Sequence, residues 1–159
     1  MTVAYVALGA NICDPRRQLE AAIEQLKNLP DTDFVLVSGF YRSAPLGYVD
    51  QADFLNAVAR LDTTLPAEQL LENLQKMEQR QSRERSFPNA PRTLDLDLLL
   101  YGDTAFASAM LTLPHPRMHQ RAFVLMPLLD LDPRLEVPGR GAARDLLARC
   151  AGQRVTRID

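Results

Sequence analysis

Between Pro91 and Tyr101 the chain reads Pro-Arg-Thr-Leu-Asp-Leu-Asp-Leu-Leu-Leu-Tyr, and this stretch constrains the fold more tightly than any other. Leu94, Leu96 and Leu98 alternate with Thr93, Asp95 and Asp97. A period of two predicts a strand, because successive side chains point to opposite faces of a sheet. The leucines are therefore expected in a core. Asp95 and Asp97 share the other face, with Cβ atoms about 7 Å apart. Aspartate is poor in strands, and two adjacent carboxylates repel, so the arrangement calls for a cation. Mg²⁺ is suited to it, since that ion takes one or two carboxylates together with substrate phosphates. Arg92 at the head of the strand could meet a phosphate oxygen. Alone, the pattern favours a solvated strand face, so the rest of the chain must decide.

The 159 residues suit one domain with a full core, and the whole span 1–159 is read as one domain. Hydrophobic residues make up 47% and charged residues 24%, with a net charge of -2. That balance carries no global basic footprint for nucleic acid or for an anionic membrane. No apolar run approaches membrane-spanning length, and the N-terminus lacks the basic start of a signal peptide. Two cysteines, Cys13 and Cys150, are too few for a disulfide scaffold and point to the cytoplasm.

In chain order, residues 2–8 are apolar on both faces, as expected of a central strand. Asp14-Pro15 pairs a favoured N-cap with a favoured first helical residue, and Leu19, Ala22, Ile23, Leu26 and Leu29 follow at helical spacing. Residues 34–42 predict a second strand, 43–53 a loop, and 54–61 a third strand. A long helix starts at Thr64-Leu65-Pro66, with a core stripe of Leu70, Leu74 and Met77 beside a mixed stripe of Leu71, Gln75 and Glu78. Residues 79–90, with Arg80, Arg83 and Arg85 and then Pro88-Asn89, predict a flexible basic loop. Strand, helix, strand, strand, helix, strand is the order of an α+β, ferredoxin-like (βαββαβ) fold: an antiparallel sheet with helices on one face, followed here by a C-terminal extension. In that extension, residues 104–111 are expected as a short edge strand, 117–129 as a helix interrupted near Pro127, and 144–150 as a terminal helix.

The chain has no Gly-rich G-x-x-x-x-G-K-[ST] loop, no paired Cys/His cluster and no G-x-S-x-G turn. His115 and His119 are four apart, but His115 lies between Pro114 and Pro116, which argues against a helical metal pair. What remains is two carboxylates, arginines and a histidine without an evident nucleophile. That set suits phosphoryl transfer, where positioning and charge neutralisation carry the catalysis.

Several segments together resemble the 6-hydroxymethyl-7,8-dihydropterin pyrophosphokinases of bacterial folate biosynthesis. They are Val6-Ala7-Leu8-Gly9-Ala10-Asn11, Phe40-Tyr41-Arg42-Ser43, Phe54-Leu55-Asn56, Glu78 with Arg83-Glu84-Arg85, residues 91–99, and Leu113-Pro114-His115-Pro116-Arg117-Met118 followed by Arg121-Ala122-Phe123. The resemblance runs to about residue 138 and implies the same ferredoxin-like fold. It implies transfer of pyrophosphate from ATP to the pterin alcohol, releasing AMP. Asp95 and Asp97 would then bind two Mg²⁺ ions, with Arg83 and Arg92 as catalytic phosphate holders. Leu71, Gln75, Glu78, Arg85, Leu98, Thr112, His115 and Arg121 would line the ATP site. Phe54 and Phe123 would stack on the pterin, Asn56 would hydrogen-bond its edge, and backbone at Ser43 and Leu46 would complete the pocket. The loops 43–53 and 82–91 would close over the substrates. The chain departs from the family pattern at Ser82, which stands where a glycine is usual, and at Asn89-Ala90, which stands where Trp-Gly is usual. Basic residues expected at Ser86 and Met110 are also absent. The implied partners are ATP and a reduced pterin, with no nucleic acid and no membrane, in a cytoplasmic monomer. The competing expectation is a ferredoxin-like binding module without catalysis, for RNA or a regulatory ligand. The negative net charge and the lack of an aromatic cluster on the sheet oppose RNA.

Overall fold

The structure, a computed structural model, describes residues 1–12, 14–44, 53–83 and 94–158, apart from the side chains at 82 and 83. Its principal sheet is built on β1 (Thr2–Ala10), which pairs antiparallel with β4 (Phe54–Thr63) on one side and β5 (Asp95–Tyr101) on the other. β2 (Thr32–Val37) and β3 (Tyr41–Ser43) both pair with β4, one beyond the other along its edge. A late strand, β10 (Val155–Arg157), pairs with β3, giving the order β10-β3-β4-β1-β5. With β2 and β3 counted as one broken strand, this is the expected ferredoxin-like sheet.

Ala4, Val6 and Leu8 of β1, Leu55, Ala57, Ala59 and Leu61 of β4, and Leu96 and Leu98 of β5 form the first core face. Against it pack α1 (Pro15–Leu26), through Leu19, Ala22 and Leu26, and α2 (Ala67–Arg83), through Leu70, Leu74 and Met77. α1 begins as its sequence dictates. Asp14 caps it by accepting from the Arg17 N–H at 3.4 Å, and Pro15 occupies the first turn.

The second face of the sheet is also covered, where helices on one face only were expected. Tyr5, Val58, Leu99 and Leu100 pack there against α3 (Ala122–Leu131) and α4 (Ala143–Ala148), with the short β8 (Glu136–Val137) and β9 (Gly141–Ala142) between them. Apolar residues on both faces of β1 require such a second layer, and the C-terminal extension supplies it. A register shift opposite Tyr5 and Val6 turns both Leu99 and Leu100 to this face.

Four further expectations are corrected. The strand expected over 34–42 is broken at Ser38, whose own hydroxyl accepts the Val58 N–H at 2.9 Å. A side-chain oxygen thus takes the ladder position of a backbone carbonyl. The loop expected from residue 79 instead begins as helix, since α2 continues to Arg83. Buried Gln81 extends the Leu70, Leu74, Met77 stripe. Its amide donates to Gln18 Oε1 at 2.7 Å and accepts from Gln25 Nε2 at 3.1 Å, tying α2 to α1. Residues 104–111 do not form an edge of the main sheet. β6 (Phe106–Ala107) pairs with β7 (Thr112–Leu113) in a separate hairpin, closed by the Ser108 N–H on the Leu111 carbonyl at 2.8 Å. The helix over 117–129 breaks at Arg121, between a 3-10 turn (Met118–Gln120) and α3, and Pro127 lies inside α3 without ending it. Burial of Val124, Leu125 and Leu128 holds that helix across the proline. The remainder of the loops expected over 43–53 and 82–91 lies outside the described residues, except Ser43, Ala44 and Asp53 in the first and the helical backbone at 82–83 in the second.

Candidate active site

Asp95 and Asp97 do stand on the face opposite Leu96 and Leu98, at the end of β5 that pairs with Gly9 and Ala7 of β1. Gly9 and Ala7 project almost nothing above the sheet. A trough therefore opens from the two carboxylates across β1 to Asn56, which is opposite Gly9 on β4, and on to Ser43 and Phe54. A side chain at position 9 would narrow that floor, since its Cβ would stand 3.6 Å from Asn56 Oδ1. The head of α3 forms the far wall with Arg121, Phe123 and Val124, and the cavity is about 260 Å³. The Arg121 guanidinium lies 5.6 Å from the Phe123 ring centroid, within cation–π reach.

Asn56 is 5% exposed, so each end of its amide matters. Its Nδ2 donates to Ser43 Oγ at 2.8 Å and to the Tyr41 carbonyl at 3.2 Å. Two aromatic rings, one amide and one hydroxyl lining one cavity suit a flat heterocycle with a polar edge.

A second cavity, of about 240 Å³, meets the first at Asp97. It is lined by Leu71 of α2, Leu96 and Leu98 of β5, residues 108–112 of the hairpin, His115 and Pro116. His115 is fixed at both ends. Its backbone N–H donates to the Leu99 carbonyl at 2.9 Å, and its ring Nδ1 accepts the Arg117 backbone N–H at 3.1 Å. Burial pushes its pKa below the ordinary 6.5, the Asp97 carboxylate pulls the other way, and Arg121 and Arg117 reinforce the lowering. The neutral ring, accepting at Nδ1, must carry its proton on Nε2.

Among the described residues, no group of three or more His, Cys, Asp or Glu could hold a metal by itself. Two carboxylates on one strand face are a hard-oxygen, incomplete donor set. That fits Mg²⁺, which retains waters and takes its remaining oxygens from phosphates, and does not fit a closed protein cage.

Of the residues named from sequence, Ser43, Phe54, Asn56, Asp95, Asp97, Arg121 and Phe123 line the first cavity. Leu71, Asp97, Leu98, Thr112 and His115 line the second. Arg121, expected with ATP, thus stands beside Phe123 and the carboxylates. Gln75 is exposed on α2 and borders neither cavity. Glu78 is buried, and its Oε2 accepts the Leu96 N–H at 2.9 Å, binding α2 to the strand of the carboxylates. Leu46, Arg85, Arg92 and the side chain of Arg83 lie outside the described residues. Sequence reasoning passed over Ala7 and Gly9 as site residues. Their signal was smallness at alternate positions of an otherwise bulky strand.

A family model described as 7,8-dihydro-6-hydroxymethylpterin-pyrophosphokinase (HPPK) matches residues 5–133. The chain is 46% identical to the 2-amino-4-hydroxy-6-hydroxymethyldihydropteridine pyrophosphokinase of Pseudomonas aeruginosa, over 97% of this chain and 95% of that one. It is 40% identical to the protein of the same name from Haemophilus influenzae, over 100% and 99%. Among solved structures, wild-type Plasmodium falciparum HPPK-DHPS superposes with a TM-score of 0.70 at 13% identity, covering 94% of this chain and 43% of that one, a likeness of fold.

Proposed function

The chain belongs to the 7,8-dihydro-6-hydroxymethylpterin-pyrophosphokinase family, and from that membership we infer an enzyme that transfers pyrophosphate from ATP to 6-hydroxymethyl-7,8-dihydropterin in folate biosynthesis. The products are the pterin diphosphate and AMP. One observation carries the assignment of the site: two cavities meet at Asp97, one suited to a flat ring and the other lined by His115. The pterin takes the first cavity, between Phe54 and Phe123, with its edge on Asn56. ATP takes the second, beside Leu71, Leu98 and Thr112. Its phosphates then run past His115 towards Asp97, so the pterin hydroxyl and the β-phosphorus meet above the carboxylates.

Asp95 and Asp97 would hold Mg²⁺, two ions in the full assignment, which when bound neutralises phosphate charge and aligns the reacting oxygens. The protein's own contribution is positioning. The Nε2–H of neutral His115 donates to a phosphate oxygen without adding a buried charge. Arg121, which lines the first cavity, would place a cation near the transferred group, and Arg83, Arg85 and Arg92 are assigned to the phosphates as well. Gln75 and Glu78 complete the ATP side, and backbone at Ser43 and Leu46 completes the pterin side. The single domain 1–159 acts as a cytoplasmic monomer; a solution mass near 17.8 kDa checks the last point.

Incubation with ATP, Mg²⁺ and the pterin alcohol, followed by nucleotide chromatography, tests the reaction. AMP should appear in equal amount to pterin diphosphate. ADP with a pterin monophosphate would make the chain an ordinary kinase. Mg²⁺-ATP binding without either product would favour a regulatory module.

A further inference from the structure

The head of α3, which carries Arg121 into the first cavity, is fastened from the far end of the chain. Arg121 stands between the 3-10 turn (Met118–Gln120) and α3 with an extended backbone, φ -118° and ψ 105°. An extended residue turns the carbonyl before it and the N–H after it towards the same side, as a strand does towards its neighbour. Here a side chain takes the neighbour's place. Gln153 Nε2 donates to the Gln120 carbonyl at 2.7 Å, and Gln153 Oε1 accepts the Ala122 N–H at 2.9 Å. Both partners are backbone groups, one only an acceptor and the other only a donor, so the orientation of the amide is fixed. Gln153 is itself set by the turn that follows α4. Its N–H meets the Cys150 carbonyl at 3.3 Å, and Gly152 takes a φ of 91° there, a value that favours glycine.

We propose that Gln153 is a positioning residue for Arg121: by bridging the peptide groups on either side of that residue, it fixes φ and ψ and with them the direction of the side chain. The proposal rests on the assignment of Arg121 to the transferred group. Gln153 borders neither of the two cavities, so it acts through Arg121. α3 has no side-chain cap of its own at Arg121, and an ordinary cap would need only an acceptor for the Ala122 N–H. The second bond, to the Gln120 carbonyl, adds nothing to α3, since that carbonyl belongs to the turn before the helix. It does restrain the arginine, whose long side chain magnifies a small backbone rotation into a displacement of the guanidinium. A cation held in place serves the transition state above all, where a misplacement of about 1 Å can cost about 10²-fold in rate.

The test is steady-state turnover, with pterin and Mg²⁺-ATP affinities by calorimetry and thermal midpoints. It is applied to the full chain, to Gln153→Ala, Gln153→Glu and Arg121→Ala, and to Gln153→Ala combined with Arg121→Ala. Gln153→Ala should lower kcat about tenfold, leave both affinities within about twofold and lower the midpoint by about 2–4 °C. Gln153→Glu keeps the acceptor for α3 and loses the donor to Gln120. It should restore the midpoint, since a carboxylate suits a helix N-terminus, and leave kcat low. With Arg121 already removed, Gln153→Ala should cost less than about twofold in kcat. Recovery of kcat together with the midpoint in Gln153→Glu would make Gln153 a plain helix cap and overturn the proposal. So would independent losses in the combined variant, or a fall in pterin affinity in Gln153→Ala, which would place the effect at Phe123. Parental turnover in Arg121→Ala would overturn the assignment of Arg121 and the proposal with it. A parent without turnover would overturn the function and both with it.

Discussion

Asp95 and Asp97 lie outside the hydrophobic core on either face of the sheet and stand on the cavity side of β5. Asp95→Ala and Asp97→Ala should each lower turnover by at least roughly 10²–10³, as deletion of a group that stabilises transition-state charge does. The unliganded thermal midpoint should stay near the parent's or rise, because carboxylate repulsion is relieved. Near-parental turnover in either variant would remove the metal role. His115 gives a second prediction. Its native pKa lies below 6.5, so below pH 6.5 the unfolded chain binds the proton more readily than the folded one. Its contribution to stability is therefore complete above about pH 6.5 and is lost as pH falls towards the native pKa. A two-dimensional ¹H–¹⁵N spectrum should show the neutral ring protonated at Nε2, with a midpoint below 6.5. In Asp97→Ala the midpoint should fall further, since the carboxylate that opposes the lowering is gone. A midpoint at or above 6.5 in the parent would contradict this account of the ring.

At the scale of elements, the site depends on how α2 is fastened to β5. The Glu78 carboxylate accepts the N–H of Leu96, the residue between the two aspartates, and so links the helix carrying Leu71 to the strand carrying the carboxylates. Glu78→Ala would leave a buried N–H unpaired, at a cost of about 1–3 kcal/mol. Urea unfolding should show that loss, and Glu78→Gln, which keeps an acceptor, should recover most of it. Should Glu78→Ala prove as stable as the parent while losing ATP affinity, Glu78 would be an ATP ligand and not a fastening. The break between β2 and β3 belongs to the same scale. Ser38 satisfies Val58 from its side chain, and only then does β3 carry Tyr41 and Ser43 to Asn56.

Over the whole molecule, the last strand stabilises the part assigned to the ring. β10 pairs with β3, the Ile158 N–H reaches the Phe40 carbonyl at 3.0 Å, and Arg157 lies 3.6 Å from Asp130 of α3, which itself accepts the Tyr41 hydroxyl at 2.8 Å. Removal of residues 155–159 should cost roughly 2–4 kcal/mol, at about 1 kcal/mol for each hydrogen bond lost. Pterin affinity should fall more than Mg²⁺-ATP affinity, because β3 borders the first cavity and not the second. Calorimetry and urea unfolding would show both effects; equal loss at the two sites would place the strand's influence elsewhere.

What the sequence determined alone is local and periodic. The alternation at 94–98 placed the leucines in the core and the aspartates opposite them, and Asp14-Pro15 set the start of α1, because backbone geometry and capping act within a few residues. The order of elements named the sheet, and the motifs named the family. Tertiary structure decided what depends on partners distant in the chain. The helical turn to Arg83 required Gln18 and Gln25 of α1 beside Gln81. The covering of the second face required α3 and α4. The orientation of the Asn56 amide required the Tyr41 carbonyl, 15 residues away. Each is a buried polar or apolar group whose demand is visible in the sequence, while the group that meets it is chosen only when the chain packs.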